Sequence, residues 1–442
     1  MIKKFIRRVF GLPSEATLRV ARERHGLAAG TITPAAAKVC SVLRDGGFSA
    51  YVVGGAVRDL LLGIEPKDFD VATDARPEQV KPLFRRALII GRRFRLVHVM
   101  LGPDTVEVST FRSADPDSSE KDEHGRVLRD NVYGTQQDDA RRRDFTVNAL
   151  YYDPLTEEIV DFHGGLADLK KRVLRVIGDP QTRYREDPVR MLRAVRLGAK
   201  LGLTLDAATR APIAEMAPLM ERVPPARLFD EMLKLLLSGH ASACLRQLRE
   251  VGLHKGLLPL LDVILEQPLG ERFVTLALAQ TDQRVLDERP VSPAFLFAAL
   301  LWHEVLAAWK ARQSRGERMI PALETAMDEV LDTQCAKLAI TRKLTATMRE
   351  VWAMQPRFEQ RSGQRAYRLI EAPRFRMAYD FLALRAASGE VPADLEAWWR
   401  AFQSADDESR KAMLLPDTGP RKRRRRRRGK KRPEDAAPPE AA

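Results

Sequence analysis

The 442-residue sequence is poor in cysteine and histidine and has no long hydrophobic run. Its three cysteines are widely spaced and form no CxxC pair, which argues against a disulfide framework or a zinc site and favours a reducing cytoplasm. The longest uninterrupted apolar run, residues 294–302, is far shorter than the roughly 20 residues that span a bilayer. Seven scattered histidines give no convincing Ser/His/Asp or Cys/His set. The sequence therefore predicts a soluble, cytoplasmic protein.

Positive charge is plentiful, but much of it lies at one end of the chain. Residues 421–442 hold eleven basic and three acidic residues, which accounts for +8 of the net charge of +14. Such a segment has too few apolar residues to bury a core, so we predict that residues 416–442 are disordered. We interpret them as a salt-sensitive tether for phosphate backbones, with a solubilising tail as the alternative.

The first twelve residues place five apolar side chains at helical spacing opposite four basic ones. Two interpretations remain open, a peripheral contact with a membrane surface and the frayed start of an amphipathic helix. No longer hydrophobic core or small-residue cleavage site follows, so a secretory signal is not predicted.

A strand, a glycine turn and a helix follow one another after residue 47. Residues 48–53 have strand composition, Gly54 and Gly55 come next, and residues 56–62 have helical spacing. This order is typical of phosphate-binding turns, because glycine lets the backbone approach a phosphate and the N–H groups at a helix start attract anions. Arg58 is the predicted cationic partner. A tight turn that needs positive φ is the alternative.

Two aspartates in the next predicted strand indicate a cation site. Asp68 and Asp70 are two residues apart, so in a strand they share one face with Cα atoms roughly 6–7 Å apart, while Phe69 points to the core. Neighbouring carboxylates repel unless a cation neutralises them, and oxygen ligands suit magnesium bound to substrate phosphates. Glu107, between two valines of a predicted hairpin, is the expected third carboxylate rather than a solvated residue of an edge strand.

Several motifs together make the chain resemble the class II nucleotidyltransferase superfamily, and within it the bacterial poly(A) polymerases more than the CCA-adding enzymes. The superfamily motifs are "GGAVRDLLLG", "KDFDV", "RRRDFTVNALYYD" and "RYREDPVRMLRAVR". The closer resemblance extends through "GRRFRLVHVM", "PARLFDEMLKLL", "VSPAFLFAALLW" and the arginine-rich end, and covers roughly residues 34–442.

The resemblance implies specific roles for residues of the head. Asp68 and Asp70 would hold the metal ions, and Glu107 would be the third catalytic carboxylate. The aspartate of "RRDFT" is also an active-site residue in the family, which implies a catalytic role for Asp144, and Arg143 before it resembles the nucleotide-contacting arginine. The implied reaction is in-line attack of an RNA 3′-hydroxyl on the α-phosphate of ATP, with two Mg²⁺ ions, or Mn²⁺ in their place, and release of pyrophosphate.

A helix further along the chain is predicted to read the base. Asp187 is placed to cap it, and three arginines follow at three-residue steps: Arg190, Arg193 and Arg196. A carboxylate beside a guanidinium matches the amine and ring nitrogen on the pairing edge of adenine, and equally that of cytosine. The motif therefore excludes G and U without choosing between A and C. An ordinary solvated amphipathic helix is the alternative.

The predicted fold is α+β, with a mixed or antiparallel sheet and helices in an N-terminal nucleotidyltransferase head, followed by an all-α neck and body. The expected divisions are an N-terminal extension (1–33), the head (34–176), the neck with the nucleotide-reading motif (177–240), a helical RNA-binding body (241–415) and the tail (416–442).

Three functions remain open at this point. The first is polyadenylation of RNA 3′ ends of mRNA and other transcripts, acting with an RNA chaperone or an RNA-degradation complex. The second is a CCA-adding tRNA nucleotidyltransferase, which shares the head and the base-reading helix. The third is a non-catalytic RNA-binding protein, against which the intact carboxylates argue.

Overall fold

The computed structural model describes residues 18–28, 30–91, 94–113, 120–121, 127–129, 132–254 and 268–416. Two predicted features fall outside these ranges, namely the amphipathic segment at residues 1–12 and the basic tail beyond residue 416. The described chain has the predicted class, with a mixed sheet at its N-terminal end and helices after it.

Eight strands form one sheet in the order β1-β10-β9-β2-β3-β6-β5-β4. Every neighbouring pair is antiparallel except β3 and β6, which run parallel. Two small pairs, β7 with β8 and β11 with β12, complete the described strands. The strands are β1 Leu18–Val20, β2 Ala50–Val53, β3 Asp70–Thr73, β4 Ala87–Ile90, β5 Leu96–Leu101, β6 Asp104–Thr110, β7 Glu120–Lys121, β8 Val127–Arg129, β9 Leu150–Asp153, β10 Glu158–Asp161, β11 Val173–Leu174 and β12 Thr204–Leu205.

Helices fill most of the chain after residue 179. The α-helices of the described ranges are α1 Arg22–His25, α2 Pro34–Asp45, α3 Gly55–Leu61, α4 Pro77–Val80, α5 Gln136–Arg142, α6 Gly165–Lys170, α7 Pro180–Glu186, α8 Val189–Leu201, α9 Ala207–Arg210, α10 Ile213–Met216, α11 Pro225–Leu236, α12 Ala241–Glu250, α13 Pro268–Leu286, α14 Pro293–Ser314, α15 Met319–Cys335, α16 Arg342–Met354, α17 Gly363–Ile370, α18 Phe375–Ser388, α19 Ala393–Ser404 and α20 Asp407–Met413.

Two strands lie where the sequence predicted none. β1 belongs to the predicted N-terminal extension, yet it pairs with β10 at the edge of the main sheet. β12 lies in the predicted all-α neck and pairs in parallel with β11 across the expected head–neck boundary. Both strands have only two or three residues, too few for alternation of apolar and polar side chains to reveal them.

The two faces of the sheet are covered to different extents. On one face, valines of β3, β5 and β6 belong to the main hydrophobic core. On the other face, a smaller cluster forms around Tyr51, Phe111 and Tyr151, and Ala140 of α5 packs on it. Residues of this second face closer to the β5–β6 turn remain accessible, because Glu107 keeps 52% and His98 keeps 31% of its side-chain surface. The open part of this face carries the candidate site.

One helix of the body has the length and composition of a membrane span. It is α14, and 61% of its apolar window is buried inside the structure. Trp302 on α14 donates its indole N–H to Glu390 at 2.9 Å, and Trp352 of α16 donates to the carbonyl of Ala298 at 3.1 Å. These contacts make α14 a central packing helix of the body.

Candidate active site

Two of the predicted carboxylates meet across neighbouring strands. Asp70 on β3 and Glu107 on β6 are direct partners in the parallel register, so both side chains point to the open face. On the other side of Glu107 its antiparallel partner is His98, whose Nε2 lies 3.2 Å from the Glu107 Oε1. The predicted hairpin of β5 and β6 is present and turns at Gly102 and Pro103.

The placement of Asp68 differs from the prediction. Asp68 and Asp70 were expected within one strand, but β3 begins at Asp70. Pairing with β2 ends at Val53, where the chain turns away at Gly54, and pairing with β6 likewise begins at Asp70 and Glu107, so the described registers do not extend to Asp68. Phe69 is buried as predicted and both aspartates are exposed. Asp68 therefore flanks the carboxylate pair from a loop.

The electrostatics of Asp70 fit a cation site. Although the residue remains accessible on one side, partial burial of its carboxyl group, followed by the charges of Glu107 and Asp68, raises its pKa to about 6 against the opposing effect of Arg143. Negative charge is thus concentrated here without full compensation. In the described ranges no three His, Cys, Asp or Glu side chains are arranged as a complete metal site. Oxygen-only donors of this kind fit a hard divalent cation that takes further ligands from a phosphate.

The glycine turn lies against a partly buried arginine beside the carboxylates. Gly54 has φ +80°, and a Cβ there would lie 3.3 Å from Nη1 of Arg143. Arg143 donates to Asp139 at 3.1 Å and to the Tyr151 hydroxyl at 3.1 Å. Burial alone lowers the pKa of Arg143, but Tyr151 and Asp139 outweigh it, so the pKa lies above its usual range. A permanently positive group is therefore fixed next to the turn.

Arg58, predicted to bind phosphate, is engaged with protein groups in the structure. Arg58 is only 6% exposed, and its Nη1 donates to Asn148 Oδ1 at 2.6 Å. Its Nη2 forms an ion pair with Asp59 at 2.6 Å. With its donors committed inside the protein, Arg58 holds α3 against the segment that precedes β9.

Asp144, predicted to be catalytic, forms an ion pair with an arginine of α8. Its Oδ2 accepts from Nε and Nη2 of Arg193, at 2.8 and 2.6 Å, and its Oδ1 accepts from Asn148 and from the N–H of Phe145. Burial raises the pKa of this carboxyl, but Arg193 and the hydrogen bonds outweigh it and lower the pKa to about 2. Asp144 and Arg193, predicted as catalytic and nucleotide-binding, are therefore bound to each other and join the head to α8.

Asp187 and Arg190 stand at the start of α8. Asp187 was predicted to cap this helix, but the N-cap residue is Pro188; Asp187 Oδ1 accepts the N–H of Val189 at 3.3 Å and its Oδ2 accepts from Arg227 at 2.6 Å. Arg190 donates to the carbonyl of Arg183 at 2.7 Å and to Glu186 at 2.9 Å. A base entering here has to share these partners.

Arg196, the last of the predicted base-reading arginines, is turned toward α11. Its Nη2 lies 3.7 Å from Glu231 Oε2, and Nη1 of Arg193 lies 3.9 Å from Glu231 Oε1. The three-residue steps rotate the set around the helix, as predicted, so Arg190 contacts Glu186 of α7 while Arg193 and Arg196 approach Glu231 of α11. The structure therefore divides the predicted arginines between two places: Arg190 contacts α7, whereas Arg193 and Arg196 face the head or α11.

Three families of known proteins match successive parts of this chain. "Poly A polymerase head domain" matches residues 50–175, "Probable RNA and SrmB-binding site of polymerase A" matches 202–265, and "Polymerase A arginine-rich C-terminus" matches 315–433. Poly(A) polymerase I of Salmonella typhi is 45% identical over 418 residues, which cover 91% of this chain and 90% of the relative. The chain belongs to the bacterial poly(A) polymerase family. Poly(A) polymerase I of Haemophilus influenzae is also 45% identical, over 86% of each chain.

CCA-adding enzymes are more distant relatives of this poly(A) polymerase family member. That of Lactobacillus helveticus is 38% identical over 203 residues, 46% of this chain and 50% of its own. The crystal structure of the Bacillus stearothermophilus CCA-adding enzyme in complex with CTP has a TM-score of 0.59 at 27% identity, and covers 84% of this chain and 82% of that one. The two families share the fold of head and helical half.

Several residues that organise the family site were not predicted from the sequence. Arg227 and Glu231 project from one face of α11 to Asp187 and to the arginines of α8. Arg183 of α7 donates to the carbonyls of Arg142 and Arg143, at 2.7 and 2.8 Å, where α5 ends. The four-residue spacing of Arg227 and Glu231 was a visible signal of a shared face, but it does not say which residues that face contacts.

Proposed function

We propose that this chain transfers AMP from ATP to the 3′-hydroxyl of RNA without a template and releases pyrophosphate, as a polynucleotide adenylyltransferase. The observation that carries the proposal is the exposed Asp70–Glu107 pair beside the glycine turn, in a chain that aligns with poly(A) polymerase I of Salmonella typhi over 91% of its length. A CCA-adding relative covers only 46% of the chain.

The residues of the head bind and orient the reactants in this mechanism. Gly54 and Gly55 leave room for the triphosphate next to the fixed charge of Arg143, which stabilises negative charge that develops there. Asp70 and Glu107, with Asp68 beside them, would hold two Mg²⁺ ions, or Mn²⁺. When bound, these ions would lower the pKa of the attacking hydroxyl and neutralise the leaving pyrophosphate. The protein then contributes chiefly position and charge.

The requirement for the 3′-hydroxyl tests this reaction. With wild-type protein, Mg²⁺ and ATP, we expect one pyrophosphate to be released for each AMP added to an unstructured RNA. The same RNA ending in a 3′-deoxynucleotide should bind equally well but receive no AMP. Pyrophosphate release with the 3′-deoxy RNA would show that the acceptor is not the 3′-hydroxyl.

Base selection is expected to depend on Asp187 and Arg190. Arg190→Ala removes the donor to the ring nitrogen and frees the carbonyl of Arg183, so we expect the preference for ATP over GTP to fall by about tenfold or more. The measurement is the ratio of kcat/KM for the two nucleotides on one RNA. Arg185→Ala is the matched control, since Arg185 is exposed on α7 and bonds only Gln181 in the described structure. An unchanged ratio in Arg190→Ala would assign this arginine a purely structural role.

The basic tail is proposed as an RNA tether. Replacing the eleven basic residues of 421–442 by glutamine keeps the length and removes the charge. We expect weaker RNA binding and a flatter dependence of log Kd on log salt, by about 0.7 for each phosphate of a single strand that the tail no longer neutralises. The measurement is RNA affinity by fluorescence anisotropy at several salt concentrations, and an unaltered slope would show that the tail is not the tether.

The biological setting follows from the proposed reaction. We propose that the acceptors are the 3′ ends of mRNA and other transcripts in the cytoplasm, that an RNA chaperone or a degradation complex acts with the enzyme in mRNA processing, and that the first twelve residues make a peripheral membrane contact. Co-sedimentation of the full chain and of a chain lacking residues 1–12 with anionic vesicles tests the last point, which equal sedimentation would contradict.

A further inference from the structure

The carboxylate pair belongs to a longer row of side chains that crosses the sheet. In the strand register, Asp70 lies opposite Glu107, Glu107 opposite His98, and His98 opposite Leu88 of the edge strand β4. Side chains at paired positions point to the same face, so all four lie on the open face. Leu88 is 55% exposed there, while its neighbour Ile89 packs toward the main core. An accessible apolar position thus ends the row that begins at Asp70.

A cavity of about 590 Å³ lies at the β5–β6 turn, two residues along β5 from His98 of this row. Its lining residues are Phe84, Arg85, Arg86, Met100, Leu101 and Gly102. The N–H of Met100 donates to the carbonyl of Arg86 at 2.9 Å, which continues the pairing of β4 and β5 toward the cavity. Met100 in turn is paired with Thr105 of β6, two residues before Glu107. Met100 is two strands from Asp70 and Arg86 is three, and both are displaced by two residues along the strands, so these cavity residues lie roughly 12–16 Å from Asp70 at the usual spacings.

The charge and composition of the cavity suit a nucleic-acid strand. Arg85 and Arg86 are exposed, and neither forms an ion pair with a carboxylate in the described part of the chain. Phe84, Met100 and Leu101 are partly buried and add apolar surface beside the two guanidinium groups. Aromatic and apolar surface next to arginines is the combination that binds single-stranded nucleic acid, through base stacking and phosphate contacts.

The geometry of in-line transfer implies that ATP and RNA approach from opposite sides of β3. In an in-line displacement, the attacking oxygen and the leaving pyrophosphate lie on opposite sides of the α-phosphorus. The glycine turn, which faces the triphosphate in the proposed function, follows β2, and Arg143 lies against it and donates to Tyr151 of β9, so both are on one side of β3. The attacking RNA must then approach from the other side of β3, over β6, β5 and β4.

We propose that the cavity lined by Arg85 and Arg86, together with exposed Leu88, binds the last few nucleotides of the single-stranded RNA whose 3′-hydroxyl is extended. This inference rests on the proposed function, because it takes the direction of approach from nucleotide transfer. It assigns a primer site to the β4–β5 edge of the sheet, with phosphates on the two arginines and bases on the apolar surface.

The kinetic test compares two double variants of the full chain. Arg85→Ala/Arg86→Ala should raise KM for a short unstructured RNA by about tenfold and leave KM for ATP and kcat at saturating RNA nearly unchanged. Lys170→Ala/Lys171→Ala removes the same charge at the opposite edge of the sheet, where Lys170 lies beside Leu18 of β1, and should leave all three values unchanged. Equal increases of KM for RNA in both double variants would show that the effect comes from the loss of positive charge anywhere on the surface. That result would overturn the proposed site.

A binding test identifies the contact and does not depend on catalysis. In an Asp70→Asn background without ATP, the short RNA carries one uncharged methylphosphonate linkage, moved one position at a time from the 3′ end. At one position near the end, we expect the neutral linkage to weaken binding to the parent by about tenfold and to have no further effect once Arg85 and Arg86 are alanines. The proposal would be overturned if, at every position, the neutral linkage weakened binding by the same factor with and without Arg85 and Arg86.

The two proposals fail in different measurements. A wild-type chain that adds no nucleotide to RNA would contradict the proposed function, and the binding test would still report whether the arginines contact the RNA end. If the chain polyadenylates RNA but the effect of the neutral linkage does not depend on Arg85 and Arg86, the proposed function stands and the proposed primer site is contradicted.

Discussion

Asp70→Asn should reduce AMP incorporation by about 10³-fold or more and leave RNA affinity nearly unchanged. Asp70 is directly opposite Glu107 and next to the fixed charge of Arg143, so it is the carboxylate best placed to bind a cation that contacts the α-phosphate. An amide of the same shape keeps the packing but lacks the charge that a divalent cation needs. Single-turnover incorporation of labelled AMP and RNA anisotropy measure the two effects.

The control for this variant is Asp74→Asn. Asp74 follows the last residue of β3, is exposed, and accepts the N–H of Ser49 at 2.9 Å. We expect its replacement to leave incorporation within the range of the wild type. Comparable activity in Asp70→Asn and the wild type would remove Asp70 from the proposed metal site.

The difference in stability between Asp70→Asn and the wild type should depend on pH. Because the folded-state pKa of Asp70 is raised from 3.8 to about 6, the folded protein binds more protons than the unfolded chain between these pH values, and stability falls as pH rises through 6. Without divalent cations, Asp70→Asn should therefore match the wild type near pH 4 and be more stable at pH 8. Urea unfolding of both proteins at the two pH values measures this difference. If the variant and the wild type were equally stable at both pH values, the Asp70 charge would not be uncompensated in the folded protein.

Arg193→Met should lower the free energy of unfolding by about 3–5 kcal/mol. The substitution leaves the buried carboxylate of Asp144 without the guanidinium that holds its pKa near 2, and it detaches α8 from the head. Asp144→Asn should restore part of the loss when combined with Arg193→Met, because no unpaired charge then remains. Urea unfolding of the wild type, both single variants and the double variant forms a double-mutant cycle, which gives the coupling free energy between Asp144 and Arg193.

Two outcomes of this cycle are distinguishable. A double variant that is more stable than Arg193→Met alone confirms that the pair acts as a unit between head and neck. Additive losses would contradict the direct ion pair. The depressed pKa also fixes the pH range, since the contribution of Asp144 is present above about pH 4 and is lost as pH falls through about 2.

The carboxylates Asp70 and Glu107 could be predicted from the sequence because the direction of each side chain depends on its own strand. Alternation within β6 places Glu107 opposite in direction to Val106 and Val108, and the composition around Asp70 indicated a strand. The boundary at Asp68 was not predictable in this way, since it depends on where pairing with the neighbouring strands β2 and β6 begins. The fold class was predictable for a similar reason, because strand and helix periodicities change along the chain.

The roles of buried charged residues were harder to predict, because their partners are distant in sequence. Arg58 meets Asn148, 90 residues away, and Asp144 meets Arg193, 49 residues away. A charged residue in a motif has the same appearance in sequence whether it faces a substrate or a protein partner. Only the structure shows that these donors and acceptors are already engaged.

The most direct test of the proposed activity is the product made from each nucleotide alone. Purified protein, Mg²⁺ and a labelled unstructured RNA are incubated with ATP or with CTP, and the RNA products are separated by length. We predict long ladders with ATP and little extension with CTP. Addition of two C residues and then one A to a trimmed tRNA, with no long ladder on the unstructured RNA, would contradict polyadenylation as the activity of this chain.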